Sequence, residues 1–279
     1  GNLVLINGRF GLPALGVVGA AISSNLSRIA GLAIMFWIFY KKLEARFSLR
    51  YLRPFPKNML RQLLHIGLPS GGESLSYNMT QIFIMTFVNL FGSVSINTKV
   101  YASMFAMCSY LFSSAIGQAS QVIVGYLVGA GDLKSTNRQV WYTCKLSMLV
   151  SLIVATALFV LSKPIFGIFT SDPEVIRLGA VIMLIEIFLE WGRSVNIVMV
   201  RCLQAAGDIR FPVTLGILSA WTVAVLGGYL VGVVAGWGLV GIWIAMACDE
   251  CLRGALFTIR FRSGKWKETR LVSDSTKGT

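Results

Sequence analysis

Long apolar segments alternate with short polar or basic ones along almost the whole chain. Seven apolar segments stand out, at about residues 15–40, 66–91, 100–128, 140–161, 171–212, 211–234 and 238–260. Each is long enough to cross a hydrocarbon core of about 30 Å as a helix. The pattern predicts an all-α fold, a polytopic membrane helix bundle with about seven transmembrane helices.

The stretch from Ser171 to Pro212 carries the clearest helix signals. Ser171 or Asp172 can cap its start, Pro173 fits a first helical turn, and Gly207 suits a left-handed cap at its end. Four polar side chains interrupt its apolar interior at spacings that put them on one face: Glu186, Glu190, Arg193 and Asn196. A charge at mid-membrane costs about 2.5 to 3.5 kcal/mol, so this face is expected to point at other helices or water. Glu190 and Arg193 are expected to form an ion pair.

The second segment places polar side chains on one helical face. Pro69, Gly71 and Gly72 are expected to loosen the backbone just before Glu73 and to free carbonyl oxygens that help to hold an ion. Three more polar residues follow at helical spacing: Tyr77, Thr80 and Gln81. With Glu73 they are expected to hold a proton or a cation, a sodium ion at Glu73 being a candidate; hydrogen bonding between helices is the alternative.

Five acids and three arginines lie deep in the predicted spans: Glu73, Glu186, Glu190, Asp249 and Glu250, with Arg28, Arg193 and Arg253. Since an unpaired buried charge is very costly, the excess of two carboxylates predicts a protein that handles protons or cations. Arg253 is expected to pair with Asp249 or Glu250; if all three reach the inner interface instead, the excess shrinks. Arg28 has no acid in its own span, so it is expected in an ion pair with another helix or in hydrogen bonds to backbone carbonyls or Asn25.

Composition excludes an ordinary soluble domain. The 279 residues are 55% hydrophobic and 13% charged, with a mean hydropathy of +0.71. The net charge of +13 lies mostly in short loops, as the positive-inside rule expects, so nucleic acid is not an expected partner. Arg201 is expected in a loop on the inner side and Lys99 in a loop on the outer side. Seven basic residues between positions 41 and 61 place that loop in the cytoplasm, along anionic headgroups. The basic C-terminus is expected on the same side.

The residue patterns do not favour an enzyme or a metal centre. Residues 129–132 match the motif G-x-G-D of intramembrane aspartyl proteases, but residues 205–208 repeat the pattern at another helix end, where a C-cap followed by an N-cap explains both. His65 is the single histidine, and the five cysteines are scattered. We expect no enzymatic activity and no cofactor, and an integral membrane enzyme is the disfavoured alternative.

An internal similarity suggests that the chain is part of a longer protein. Gly16-Val17-Val18-Gly19 opens the first segment, and Gly238-Leu239-Val240-Gly241 opens the last one 222 residues later. If each segment closes one repeat of six spans, five spans are expected before the start of this chain.

The same residues resemble the multidrug and toxic compound extrusion (MATE) family. Five groups of motifs carry the resemblance over nearly the whole chain: Gly67-Leu68-Pro69-Ser70 with Glu73; Ile116-Gly117-Gln118-Ala119 followed by Val124-Gly125 and Gly129-Ala130-Gly131-Asp132; Leu189-Glu190 with Arg193 and Asn196; Ala205-Ala206-Gly207-Asp208 with Pro212; and Gly238-Leu239-Val240-Gly241-Ile242-Trp243. The resemblance implies two six-helix lobes. This chain would supply the end of the N-terminal lobe (1–40), a basic cytoplasmic loop (41–65), the C-terminal six-helix lobe (66–260) and a basic cytoplasmic tail (261–279).

The resemblance also implies a function. Such proteins are secondary antiporters of the plasma (inner) membrane that export organic, often cationic, drugs or metabolites in exchange for sodium ions or protons. The implied partners are a small organic substrate, membrane lipid and the missing N-terminal lobe. A lipid-linked oligosaccharide flippase of the same superfamily is the alternative; it predicts more basic residues facing the cavity than Arg28, Arg193 and Arg253.

Site residues follow from the resemblance and the charge pattern together. Glu73 matches a coupling glutamate that some members have in span seven, whereas span ten offers Glu186 and Glu190 in place of an aspartate. The expected sites for the cation or proton are Glu73, Tyr77, Gln81, Glu186 and Glu190. The expected structural ion pairs and their hydrogen-bonding partners are Arg193, Asn196, Asp249, Glu250, Arg253 and Arg28.

The charge bias makes a prediction about topology. Single cysteines at Ser48 and Ser273, in a background without other cysteines, should react with a membrane-impermeant maleimide only after cells are permeabilised. Labelling of both positions from outside intact cells would overturn the predicted orientation.

Overall fold

The structure is a computed structural model that describes residues 2–8, 13–42 and 57–267. The chain divides into two compact units, residues 1–61 and residues 62–279. The first unit holds two helices, α1 (Asn2–Asn7) and α2 (Gly16–Lys42). Within the described residues of the second unit lie the remaining helices: α3 (Lys57–Asn89, from residue 62 onward), α4 (Ser93–Gly129), α5 (Leu133–Val160), α6 (Ser162–Phe169), α7 (Pro173–Ala205), α8 (Arg210–Ser219) and α9 (Gly238–Arg262). The described residues contain no β-strand.

The predicted all-α membrane bundle is confirmed. Each of the seven predicted apolar segments coincides with a long helix. The segment at 211–234 does so because α8 continues through two π-helical segments, Ala220–Leu226 and Tyr229–Val234. By length and composition, four of the described helices can cross a membrane: Gly16–Lys41, Ser93–Gly129, Leu133–Val160 and Arg210–Val234. Polar side chains interrupt α3, α7 and α9, and these three helices carry most of the candidate site.

Helix α7 is the central element of the second unit and packs against α4, α5 and α9. Its contacts fix the helix directions: Glu190 meets Ser109 of α4, and Ile197 lies beside Gly117 further along both helices. Trp243 of α9 bonds Glu186, and α9 reaches the end of α7 at Arg260. Helices α4, α7 and α9 therefore run parallel. The contacts from Glu73 to Gly216 and from Phe87 to Tyr229 likewise make α3 and α8 parallel.

Glycines allow α7 and α9 to approach at backbone distance. A Cβ atom placed on Gly192 would lie 2.5 Å from the backbone nitrogen of Cys251. One turn further along α9, a Cβ atom on Gly254 would lie 3.0 Å from the carbonyl oxygen of Gly192. Membrane helices gain little from burying apolar surface against each other, so close van der Waals packing of this kind is what holds them together.

The helix ends confirm the capping explanation for G-x-G-D in full at residues 129–132; at 205–208 they confirm the left-handed glycine, since Gly207 has a φ of 95°, but not the N-cap. The Asp132 carboxylate accepts a hydrogen bond from the backbone of Ser135 at 3.0 Å, and Gly131 has a φ of 78°. Hydrogen bonds from Ser135 lower the pKa of Asp132. Asp208 does not cap α8, because its carboxylate accepts a hydrogen bond from Nε of Arg260 at 2.7 Å. The expected cap at Asp208 is therefore an ion pair between the ends of α7 and α9.

Two further expectations are wrong in detail. Helix α3 runs through Pro69, Gly71 and Gly72 without interruption, since a single proline removes one backbone hydrogen bond and the flanking turns keep the helix. Helix α4 begins at Ser93, so Lys99 lies inside the helix and not in a loop. The start of a helix is hard to place when polar residues fill its first turns.

The close contact of α7 with α9 gives a stability prediction. Gly192→Ala should destabilise the protein by about 1 to 3 kcal/mol, since a methyl group would force the two backbones apart. Gly125→Ala is the matched control, because a Cβ atom there meets nothing within 4 Å. Thermal unfolding in detergent micelles measures both, and equal stability of the two variants would contradict the packing argument.

Candidate functional site

A cavity of about 720 Å³ opens among α3, α4, α7, α8 and α9. Six charged residues line it: Glu73, Lys99, Arg193, Arg201, Glu250 and Arg253. Aromatic side chains add apolar surface, among them Tyr77, Tyr110 and Trp243. A concave site of this size with a few converging polar groups is typical of binding sites for small organic molecules.

Arg193 of α7 is the centre of the first charge cluster. Its Nη1 atom lies 2.5 Å from Glu190 and 3.1 Å from Glu186, and its Nε atom lies 3.9 Å from Glu250. Behind it, the Glu186 carboxylate accepts a hydrogen bond from Nε1 of Trp243 at 2.6 Å, and Ser109 donates one to Glu190 at 2.9 Å. The Glu186 and Glu190 side chains are 2% and 0% exposed, so both carboxylates are held inside the protein.

Arg253 of α9 is the centre of the second cluster. Its Nη2 atom lies 2.5 Å from Asp249 and 3.1 Å from Glu250. Asp249 also accepts a hydrogen bond from Ser219, and Glu250 accepts one from Nδ2 of Asn196 at 2.6 Å. Glu250 therefore joins the two clusters into one network, which links α7, α8 and α9.

The network contains four carboxylates and two guanidinium groups. In a low-dielectric interior, removal of one partner of such a pair leaves an uncompensated charge and costs about 3 to 5 kcal/mol. The excess of carboxylates means that the network is neutral only if protons or a cation occupy it, or if other basic groups stand nearby.

Glu73 approaches the network from α3. Its carboxylate packs against Gly216 of α8, where a Cβ atom would lie 3.1 Å from Oε1. No described side chain donates a hydrogen bond to it, so among the described acids of the cavity wall it alone lacks such a donor. Tyr77 and Gln81 line the same cavity. Thr80 does not: its side chain is buried, and its hydroxyl donates to the carbonyl of Tyr77 at 2.7 Å.

The structure brings most of the predicted residues together. Those predicted for ion or proton binding lie in the cavity wall or directly behind it: Glu73, Tyr77, Gln81, Glu186 and Glu190. The predicted partners form the network: Arg193, Asn196, Asp249, Glu250 and Arg253. Arg28 lies exposed on α2 in the first unit, and the described ion pairs do not include it. Among the described residues, no group of three or more His, Cys, Asp or Glu side chains is arranged to hold a metal ion.

Two basic residues of the wall, Lys99 and Arg201, are not among the expected site residues, because the sequence pattern predicts both in loops. Lys99 is 8% exposed, and its Nζ atom lies over the Trp243 ring, 4.9 Å from the centroid. Arg201 lies more than a turn before the end of α7 and donates a hydrogen bond from Nη1 to Gln121 at 3.3 Å. The helix end at Ala205 was visible in the sequence and was sufficient to place Arg201 inside the helix. With Lys99 and Arg201 included and Arg28 left out, the cavity and its network hold five acids and four bases, so the excess falls from two carboxylates to one.

A cluster of serine hydroxyls behind Glu190 was also missed. The Oγ atoms of Ser113 and Ser151 lie 2.5 Å apart, and Ser147 donates to Ser113 at 3.3 Å. Ser109 lies between this cluster and the Glu190 carboxylate. Serine is common on membrane helices, so only the spacing of Ser109 and Ser113 on α4, which puts both on one face, signalled the cluster.

Several known proteins are similar to this chain over most of its length. The family model described as MatE matches residues 69–230. The uncharacterized transporter YisQ of Bacillus subtilis is 38% identical over 270 residues, which cover 95% of this chain and 58% of YisQ. The probable multidrug resistance protein NorM of Thermotoga maritima is 26% identical over 276 residues, with 98% and 58% covered. The chain thus spans somewhat more than half the length of these relatives.

Solved structures share the fold. The crystal structure of the MATE transporter VcmN of Vibrio cholerae in the bent form matches with a TM-score of 0.80 at 19% identity, over 96% of this chain and 60% of VcmN. An outward-facing multidrug resistance MATE transporter of the MOP superfamily matches with a TM-score of 0.83 at 20% identity, over 96% and 61%.

The shared guanidinium of Arg193 predicts a ranking of stabilities. Arg193→Gln should destabilise the protein by about 3 to 5 kcal/mol, because it leaves Glu186 and Glu190 without a counter-charge. Adding Glu190→Gln should recover part of the loss, and adding Glu186→Gln should recover more. Thermal unfolding in micelles at constant pH measures the series, with Arg138→Gln as the control for loss of an exposed arginine. If the double and triple variants are no more stable than the single one, the carboxylates do not depend on Arg193.

Proposed function

Because the chain belongs to the MATE family, we propose that it forms one lobe of a secondary antiporter that exports organic compounds, cationic ones among them, in exchange for sodium ions or protons. The observation that carries the proposal is the charged cavity beside a buried network with more carboxylates than guanidinium groups. The matched relatives with a described role are transporters, so the chain is assigned to a transporter family and not to an enzyme family.

The proposed transporter needs a second lobe. The chain spans about 58% of YisQ and of NorM from Thermotoga maritima, and its second unit alone holds the charged cavity. We propose that an N-terminal lobe completes the transport path, as the resemblance implies. The basic segments at 41–61 and after residue 260 support an inner-membrane location with a cytoplasmic C-terminus.

Glu73 is the proposed site of ion coupling. It is partly buried in the cavity wall and lacks a described hydrogen-bond donor, so a bound proton or sodium ion would be its partner. Since α3 is continuous, backbone carbonyls freed by Pro69 do not complete the site as expected from the sequence. Side-chain oxygens of Tyr77 and Gln81, with water, would supply the remaining ligands. Glu186 and Glu190 are the second proposed position for a proton or cation.

Alternating access gives the charges their role. When a lobe faces one side of the membrane, the cavity takes up either the substrate or the coupling ion, because both neutralise the excess negative charge. Release on the other side follows when the second species arrives. Exchange then needs no direct contact between substrate and ion, only competition for the same negative charge.

Flipping of a lipid-linked oligosaccharide is the second candidate function. One observation favours it: Lys99 and Arg201 join Arg193 and Arg253 in the cavity wall, so basic groups outnumber acidic ones there. Basic groups suit the diphosphate of a lipid-linked sugar. Reconstituted protein that moves such a lipid across the bilayer without an ion gradient, while failing to export soluble compounds, would decide for this candidate.

The coupling proposal predicts the effect of Glu73→Gln in the complete transporter. The amide mimics a protonated carboxyl that cannot release its proton, so gradient-driven efflux should be lost while insertion into the membrane is unchanged. Efflux of ethidium from energised vesicles, with an imposed sodium or proton gradient, measures the effect. Glu174→Gln is the control, because Glu174 is an exposed acid at the start of α7. Efflux by Glu73→Gln at the parental rate would overturn the assignment and point to Glu186.

A further inference from the structure

Two of the four basic side chains in the cavity wall form no ion pair with an acid in the described part of the chain. Arg193 and Arg253 are each paired with two or more carboxylates. Lys99 and Arg201 take part in none of the described ion pairs. A cation inside a membrane protein that is not paired within the protein marks a position where an anion would be stabilised.

The two unpaired cations lie far apart and have different surroundings. Lys99 lies level with Trp243 and Glu186, whereas Arg201 lies fifteen residues beyond Glu186 along α7, or about 22 Å at the helical rise. The Lys99 ammonium faces an aromatic ring, which stabilises a cation by itself. Arg201 has no aromatic or acidic neighbour among the described contacts of its guanidinium. Arg201 is therefore the stronger candidate for binding an external anion.

The position of Arg201 is built by neighbouring residues of α4. The side chain crosses Gly117, where a Cβ atom would lie 3.1 Å from its Cδ atom and 3.6 Å from its Nε atom. Gln121, one turn further along α4, accepts a hydrogen bond from Nη1 at 3.3 Å. A guanidinium has five N–H donors in a fixed plane, and this contact uses one of them. The remaining donors are available for a planar or tetrahedral anion, and Gln204 adds a polar side chain to the same wall.

The acids do not neutralise the positive charge of Arg201 at the cavity surface. Glu73 and Glu250 are the acids that line the cavity, while Glu186, Glu190 and Asp249 are packed behind Arg193 and Arg253. None of these acids lies within 4 Å of Arg201. A molecule in the cavity therefore meets negative charge at Glu73 and Glu250 and an open positive charge at Arg201.

We propose that Arg201, held over Gly117 by Gln121, is a binding position for an anionic group of the transported compound, such as a carboxylate, sulfonate or phosphate. This inference rests on the proposed export function and adds to its substrate class. Besides cations, the cavity would take zwitterions whose positive group faces Glu73, and organic anions. Tyr77 and Tyr110 provide flat apolar surface for the rest of such a molecule.

Direct binding to the purified chain in phosphatidylcholine nanodiscs tests the position without any ion gradient. Two probes share a fluorophore and differ in charge: dansylglycine is an anion and dansylcadaverine is a cation. Energy transfer from the seven tryptophans to the dansyl group reports binding in each variant. Arg138→Gln is the matched control, since Arg138 is an exposed arginine of α5 that does not line the cavity.

Arg201→Gln should weaken dansylglycine binding by about tenfold or more, the usual effect of losing a charged hydrogen bond. Dansylcadaverine binding should change by less than about twofold, and Arg138→Gln should leave both affinities as in the parent. Equal losses for the two probes would mean that Arg201 only supports the structure and would overturn the proposal. Failure of the parental chain to bind dansylglycine, or unchanged binding by Arg201→Gln, would also overturn it.

A second variant keeps the charge and removes the geometry. Gly117→Val would push the Arg201 side chain from its place, so dansylglycine affinity should fall although the arginine is still present. Unchanged affinity in a folded Gly117→Val protein would overturn the assigned geometry. Displacement by geranyl diphosphate at lower concentration than by N-octanoylglycine would identify the anion as a lipid diphosphate, and the reverse order would identify a soluble organic acid.

The outcome is separable from that of the export proposal. Loss of gradient-driven efflux with intact, Arg201-dependent binding of dansylglycine would leave the anion position standing and remove antiport. If ethidium is exported along a gradient but Arg201→Gln weakens binding of both dansyl probes equally, antiport would stand and the anion position would be overturned.

Discussion

The second unit depends on a guanidinium group shared among carboxylates inside the helix bundle. Arg193 contacts Glu186 and Glu190 from its own helix and approaches Glu250 from α9. Each of these charges would be too costly alone at mid-membrane, so the fold can keep them only as a connected set. Trp243, Ser109 and Asn196 supply hydrogen bonds to the remaining oxygens. The network thus joins the helices and also contains more carboxylates than guanidinium groups.

Buried charges and close packing support each other in this architecture. The glycines at 192 and 254 bring the backbones of α7 and α9 together, and this proximity puts Arg193 within reach of Glu250. The cavity lies on the other side of the same residues, so the pairs that hold the helices also form its wall. A binding site made from structural ion pairs is rigid, which favours a defined position for a ligand's charges.

Much of this arrangement could be predicted from the sequence, for identifiable reasons. The lengths of the apolar segments predict the seven long helices, and helical spacing predicts that Glu186, Glu190 and Arg193 lie on one face. Pairing across helices could not be predicted, because nothing in a single sequence says that Trp243 meets Glu186 or that Ser219 meets Asp249. Lys99 and Arg201 were misplaced because a basic residue near the end of an apolar segment resembles a loop residue in composition alone. The π-helical turns of residues 220–226 and 229–234, both of which contact α9, have no clear sequence signal either.

The pair formed by Asp208 and Arg260 has a mechanical consequence. It ties the ends of α7 and α9 at 2.7 Å, while Gly192 and Gly254 hold the same helices together at their middle. Because α7 and α9 are in contact at two levels along their length, neither helix can rotate against the other, and the pair behaves as one rigid body. Glu73 of α3 contacts Gly216, and no described ion pair connects α3 to α7 or α9. If the cavity widens or narrows, α3 is therefore the wall with the fewest bonds to break.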